Sequence, residues 1–217
     1  MEVNENRVRR DKITLVFCLA IIAGEIFGNI QCFRNMGLEM FDYYTQDSNI
    51  LLLIATVIWM GCIIRRLRDG VPIPRWVRVI KYMATCTVTL TLVVVLAVLT
   101  PMEVDSLPNL LFSGSMLWCH TVCPLLAIVA DIFFDSTPDL KISDTAVALL
   151  PTALYGIVSV LLNILQIWHG PYPFLYVYEQ PLWASLLWAA LIVGGAWFLG
   201  FLLYRLNRAA TRDYVYQ

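Results

Sequence analysis

The stretch YMATCTVTLTLVVVLAVLT, from Tyr82 to Thr100, carries no charge over 19 residues. As an α-helix rising ~1.5 Å per residue, it matches the ~30 Å hydrocarbon core of a bilayer. Five further apolar runs of similar length flank it: Ile13–Gln31, Ser48–Ile64, Gly114–Phe134, Ala146–Trp168 and Leu182–Tyr204. The 217-residue chain is 59% apolar and 14% charged, with a mean hydropathy of +0.72. A soluble domain is nearer half apolar and about a quarter charged, and one core of this size cannot hide the surplus. Lipid is therefore the solvent. This excludes a nucleic-acid-binding domain, a cytosolic enzyme and a disordered tail. The expected fold is all-α: a single polytopic membrane domain over residues 1–217 with six transmembrane helices. The first run lacks a small-residue cleavage site and reads as a span, not a signal peptide.

Lys and Arg set the orientation. The N-terminus carries Arg7, Arg9, Arg10 and Lys12. The second loop carries Arg65, Arg66, Arg68, Arg75, Arg78 and Lys81. Lys141 lies in the fourth loop, and Arg205, Arg208 and Arg212 lie in the tail. Of the 15 basic residues only Arg34 falls on the other side. Both termini are expected in the cytoplasm of a multi-pass protein of the cell membrane. Loops one, three and five, with Glu39, Asp42, Glu103, Asp105 and Glu179, then face outward.

The six cysteines lie mostly inside spans, where Cys acts as a small apolar residue. Cys119, His120 and Cys123 come nearest to a metal set. Adjacent helical residues diverge by about 100°, so no metal is expected, and nothing in the chain calls for a cofactor.

Ionisable groups inside spans are candidates for function. Here they are Glu25, His120 and, near the cytoplasmic end, Asp131. Glu25 and His120 each lie about six residues, or ~9 Å, below the outer surface. Thr45 and Asn49 flank the outer start of the second span, and Asn163 and Gln166 lie near the outer end of the fifth. Helical phase groups Ser113, His120, Ala127 and Asp131 on one face of span four. It also aligns Cys18, Glu25, Asn29 and Cys32 in span one, Thr45, Asn49, Leu52 and Thr56 in span two, and Thr152, Gly156, Ser159 and Asn163 in span five. The expected packing turns these stripes inward around one polar pocket open to the outer leaflet. A plainer reading has Asn163, Gln166, Thr56 and Ser159 hydrogen-bonding neighbouring helices, Gly194, Gly195 and Gly200 allowing close packing, and Glu25 with His120 as a structural ion pair. Tyr172, Tyr176, Tyr178, Trp183 and Trp188 read as an interfacial belt.

The segment Phe41-Asp42-Tyr43-Tyr44-Thr45-Gln46-Asp47-Ser48-Asn49 pairs two aromatics with Thr and then Ser-Asn. It resembles the opening of the second span in the androgen-induced, FAR-17a-like membrane proteins and their bacterial Pr6Pr-type relatives. His120-Thr121-Val122-Cys123-Pro124 resembles the same family's His followed four residues on by Pro. The resemblance implies six spans and an intramembrane threonine hydrolase that cleaves fatty acid esters of hydroxy fatty acids, with Thr45 as nucleophile and His120 as base. A more distant branch, which uses Cys and His, implies acyl transfer between lipids. Gln46-Asp47 departs from the animal pattern.

The chemistry is sound in its own terms. A threonine hydroxyl needs a base to become a nucleophile, and histidine serves near neutral pH. Glu25 is expected to orient the imidazole as the third member of a triad does, and the Asn49 amide to stabilise an oxyanion. The expected partner is a membrane lipid entering sideways from the bilayer. Three other readings stand beside this one: lipid acyl transfer in the same pocket, including by Cys123, proton-coupled transport through Glu25 and His120, and a non-catalytic partner protein.

Overall fold

A computed structural model of the chain describes residues 2–102, 105–135, 137 and 139–215. Glu103 of the third loop lies outside the described residues. Helix α1 covers Glu2–Met36 and ends in a 3-10 turn, Gly37–Asp42. Helix α2 covers Tyr44–Asp69, and α3 covers Arg75–Val94 and runs on as a π-turn, Val95–Leu99. Short helices α4 (Leu107–Phe112) and α5 (Gly114–Met116) lead into a second π-turn, Leu117–Val122, and then α6 (Cys123–Phe133). Helices α7 (Asp144–Val147), α8 (Leu150–Ile164) and α9 (Leu182–Val215) complete the chain, with a 3-10 turn at Pro173–Leu175. Among the described residues there is no strand. Six helical segments are long and apolar enough to cross a membrane: Glu5–Asp42, Tyr44–Asp69, Arg75–Leu99, Gly114–Phe133, Asp144–Ile164 and Leu182–Ala210. The first and last extend well past their apolar runs, because a helix continues through polar sequence until something breaks it. Helix α2 stops at Gly70, whose left-handed φ of 70° lets its N–H cap the Arg66 carbonyl at 3.0 Å; Pro72 and Pro74 follow.

Helix α3 is the axis of the bundle. In its most apolar stretch 61% of residues are buried, against 17% in α9 at the periphery. Such a helix must satisfy its own polar groups. Thr85, Thr89 and Thr91 return their hydroxyls to carbonyls one turn back, at 3.1, 2.7 and 3.2 Å. Ile21 of α1, Leu52 and Ala55 of α2, Ala84 and Val88 of α3, and Cys123 and Ala127 of α6 form the central core. Gly194 and Gly195 of α9 face open space, whereas Gly200 meets the Tyr82 hydroxyl. Of the three glycines expected to allow close packing, only Gly200 meets a neighbour.

One end of the bundle is tied by charge. Arg66 pairs with Asp11, Arg75 with Asp144 at 2.7 Å, and Arg78 with Asp139 at 2.7 Å. Arg10 and Thr14 reach the carbonyls of Phe133 and Phe134 at 3.1 and 3.2 Å. Lys81 corrects its reading as a loop residue. It lies inside the bundle at 1% exposure, 3.3 Å from the equally buried Asp135, which also accepts from the Trp59 indole at 3.0 Å. The helix begins at Arg75, six residues before Lys81, so the first turns of α3 carry this charge inward. Ser113 departs from its expected stripe. It is exposed and extended, because the chain breaks there between α4 and α5, and the π-turn then resets the phase of the residues beyond it.

Candidate active site

At the other end of the bundle, Thr45 is the second residue of α2. The chain enters from the 3-10 turn through extended Tyr43, whose carbonyl accepts from Gln46 N at 3.0 Å and Asp47 N at 3.3 Å. His120 lies on the π-turn that opens the fourth span; such turns displace side chains from α-helical register and are frequent at functional positions. The Thr45 Oγ1 stands 3.2 Å from His120 Nε2, and both residues are buried. On the far edge of the ring, Nδ1 stands 2.6 Å from the Leu110 carbonyl oxygen of α4. A carbonyl only accepts, so Nδ1 carries the proton. In the neutral ring, Nε2 then presents its lone pair to the threonine hydroxyl. Thr121, next along the turn, donates to the Leu111 carbonyl at 2.8 Å. Helix α4 is thus clamped onto the π-turn at two points, and it orients the imidazole.

That arrangement reassigns two expected supports. Both edges of His120 are occupied, by Thr45 and Leu110, and Glu25 is not brought to it. The Glu25 carboxyl is buried on α1, where it accepts from Asn29 Nδ2 at 3.1 Å and lies against Cys123. Asn49 donates from Nδ2 to the carbonyls of Thr45, at 2.7 Å, and Cys119, at 3.1 Å. Its amide hydrogens are committed to the backbone, so they are not available to an oxyanion. It braces α2 against the π-turn that holds His120 and is a positioning residue. Ser48 adds a bond to the Thr45 carbonyl at 2.9 Å and a contact to Thr91 at 3.0 Å. The Cys123 thiol points to the Ile21 carbonyl of α1 at 3.9 Å, and Cys119 to Gln46 at 3.9 Å. A Cβ on Gly24 would stand 2.8 Å from the Cys123 sulfur, so this face of the π-turn is filled by α1. Among the described residues, no three His, Cys, Asp or Glu side chains converge as metal ligands.

Tyr172 is corrected from belt to site. It is buried, stacks on Phe174 at 5.1 Å and meets Tyr43 edge-on at 6.2 Å. Its phenol oxygen faces the Thr45 hydroxyl and the backbone N–H groups of Tyr44 and Thr45. Burial pushes its ionisation up to about 12, so it is a neutral O–H donor at ordinary pH. The sequence held one local signal: Pro171 and Pro173 bracket Tyr172 after Gly170, whose φ of 86° turns the chain back over the bundle. Asn163 secures this loop. It donates to the His169 carbonyl at 2.8 Å and accepts from Val177 N at 3.1 Å.

Thr45 and Tyr172 line a cavity of about 670 Å³, a size usual for ligand sites. Its walls come from α2, α3, α8 and α9 and are apolar apart from a few hydroxyls. Tyr44, hydrogen-bonded to Thr152 at 2.7 Å, forms part of the rim. The expected pocket is therefore lined by hydrocarbon more than by polar stripes. Between α8 and α9 its lining includes Ile157, Leu161, Leu182 and Leu186, each more than half exposed on the outer surface of the bundle. The cavity thus opens sideways, toward the zone that lipid occupies around apolar helices. No family model, curated protein or solved structure matches this chain.

Proposed function

We propose that this protein is an intramembrane hydrolase of lipid carboxylic esters. The observation that carries the reading is a buried hydroxyl that faces the lone pair of a tautomer-fixed imidazole and lines a laterally open apolar cavity. The motifs around Thr45 and His120, which resemble the FAR-17a-like threonine hydrolases, support it independently. An acyl chain enters between α8 and α9 and fills the cavity. His120 Nε2 takes the Thr45 proton as Oγ1 attacks the ester carbonyl. Negative charge develops on the carbonyl oxygen beside the Tyr172 O–H and the Thr45 N–H. The Thr45 N–H lies at the positive end of α2, whose dipole favours negative charge there, and the Tyr172 O–H suits an oxyanion. The imidazolium then returns the proton to the leaving alkoxide. Water, deprotonated by the same nitrogen, attacks the acyl-threonine; the C–Oγ1 bond breaks, Oγ1 takes the proton back from Nε2, and the fatty acid leaves.

Under this proposal the basic end of the bundle is cytoplasmic by the positive-inside rule, with both termini inside and the site toward the outer leaflet, and the membrane is the cell membrane. Acyl transfer in the same pocket would differ only in the acceptor, a lipid hydroxyl in place of water. Cys123 faces α1 and is a poor nucleophile for it. Relay between Glu25 and His120 has no supporting contact. The test is cleavage of long-chain fatty acyl esters by the purified protein. Thr45→Ala and His120→Ala are expected to lose it, and Cys123→Ala to keep most of it. Activity in Thr45→Ala with loss in Cys123→Ala would overturn the assignment.

A further inference from the structure

A second cavity, of about 600 Å³, lies between the start of α2 and the length of α8. Tyr44 and Tyr155 line both cavities and form the partition between them, edge to face with ring centroids 5.3 Å apart. The partition is held from both sides, by Tyr44 with Thr152 and by Tyr155 donating to the Asp42 carbonyl at 2.7 Å. Along α8 the lining is apolar apart from Ser159, from Leu162 in the last turn through Val158 and Leu154 to Pro151 in the first, and Leu51 continues it on α2. Where α2 begins, the groove gathers the carboxylates of Asp42 and Asp47 and the rings of Phe41 and Tyr44, with Tyr155 and Trp168 supplied by α8 and the segment after it. Both acids are exposed, and neither belongs to any ion pair among the described residues. The flanks, Leu154 and Ile167, are 66% and 69% exposed, as suits a surface in contact with lipid.

We propose that this groove seats a membrane lipid whose head group ends in an ammonium cation. Carboxylates combined with aromatic faces are the surroundings that attract an ammonium or quaternary ammonium group. An anionic head meets repulsion from Asp42 and Asp47, with no basic side chain in the lining to offset it. The apolar lining runs on along α8 to Pro151 and along α2 to Leu51, which fits an acyl chain and not a free amine. The site is separate from the Thr45 cavity, and the proposal does not rest on the hydrolase reading.

The test uses the full-length protein in discs containing equal parts of phosphatidylethanolamine and phosphatidylglycerol, with retained lipid counted by native mass spectrometry. The wild type is expected to retain phosphatidylethanolamine about tenfold over phosphatidylglycerol. The preference should shrink with added salt and disappear in Asp42→Asn/Asp47→Asn. Both acids are exposed, so that variant should unfold at the wild-type temperature and cleave esters as the wild type does. Trp168→Leu should weaken the preference while leaving the charges in place. Excess free ethanolamine should leave the bound lipid undisturbed. Equal retention of the two lipids by the wild type, or an undiminished preference in the double variant, would overturn the proposal. Displacement by free ethanolamine would overturn its lipid part.

Discussion

Thr45 Oγ1 and His120 Nε2, 75 residues apart in the chain, meet at 3.2 Å. The contact depends on two devices that hold it from opposite sides. The Leu110 carbonyl fixes the imidazole tautomer, and the Asn49 amide ties α2 to the π-turn.

Asn49 therefore supports both stability and geometry. Asn49→Leu removes the donor to two buried carbonyls, and a buried polar group left unsatisfied costs about 1–3 kcal/mol. Thermal unfolding in detergent should show that loss together with reduced ester cleavage. A fall in kcat with unchanged stability would instead mark a direct role in transition-state stabilisation.

The Lys81–Asp135 pair should be structural and remote from cleavage. Removing one partner of a buried ion pair typically costs about 3–5 kcal/mol, while replacing both is far milder. Lys81→Met should lower the unfolding temperature sharply, and Lys81→Met/Asp135→Asn should recover much of it. Cleavage measured below the unfolding transition should stay near wild type in the double variant.

Tyr172→Phe should lower kcat by about 10²-fold, the usual effect of losing one oxyanion donor, with little change in stability. The titration has a definite sign. The folded phenol ionises near about 12, above the ~10 of an unfolded tyrosine. Its contribution to stability is thus intact below about pH 10 and is lost as pH rises toward the folded value. An ultraviolet difference titration of wild type against Tyr172→Phe should reveal one phenol ionising above the ordinary range. Ionisation at the ordinary value would contradict its burial against Thr45.

The proposed sidedness rests on the clustering of basic residues at one end. A cysteine in place of Asp105 should react with an impermeant maleimide on intact cells, and one in place of Arg68 should react only after lysis. Background should be low, because five of the six native cysteines are buried. The reverse pattern would move the site to the cytoplasmic leaflet.

The helices were legible because lipid imposes length and hydropathy directly on sequence. The inward faces of the first, second and fifth spans were legible too, since Cys18, Leu52, Thr56 and Ser159 keep helical phase and are buried. Phase reasoning failed where regular helix fails. Ser113 and His120 were assigned to one stripe, yet Ser113 interrupts the helix and His120 lies on a π-turn beyond it. The pairing of Thr45 with His120 was accessible from depth and motif. The orienting group was not, because Leu110 acts through its backbone carbonyl, which no side-chain pattern encodes. Glu25 has the depth expected of a triad carboxylate, but its direction around α1 sends it to Asn29 and Cys123. Tyr172 was hidden by composition, since a tyrosine between prolines in an outer loop reads as an interfacial anchor until the loop is seen to fold inward.

The central claim, that Thr45 is a nucleophile activated by His120, is tested most directly by covalent labelling. The purified protein is treated with a fluorophosphonate probe, its intact mass is measured, and the modified residue is mapped. The account predicts one adduct per chain, on Thr45, absent from Thr45→Ala and strongly reduced in His120→Ala. An adduct that maps to Cys123, or labelling that persists in Thr45→Ala, would contradict it.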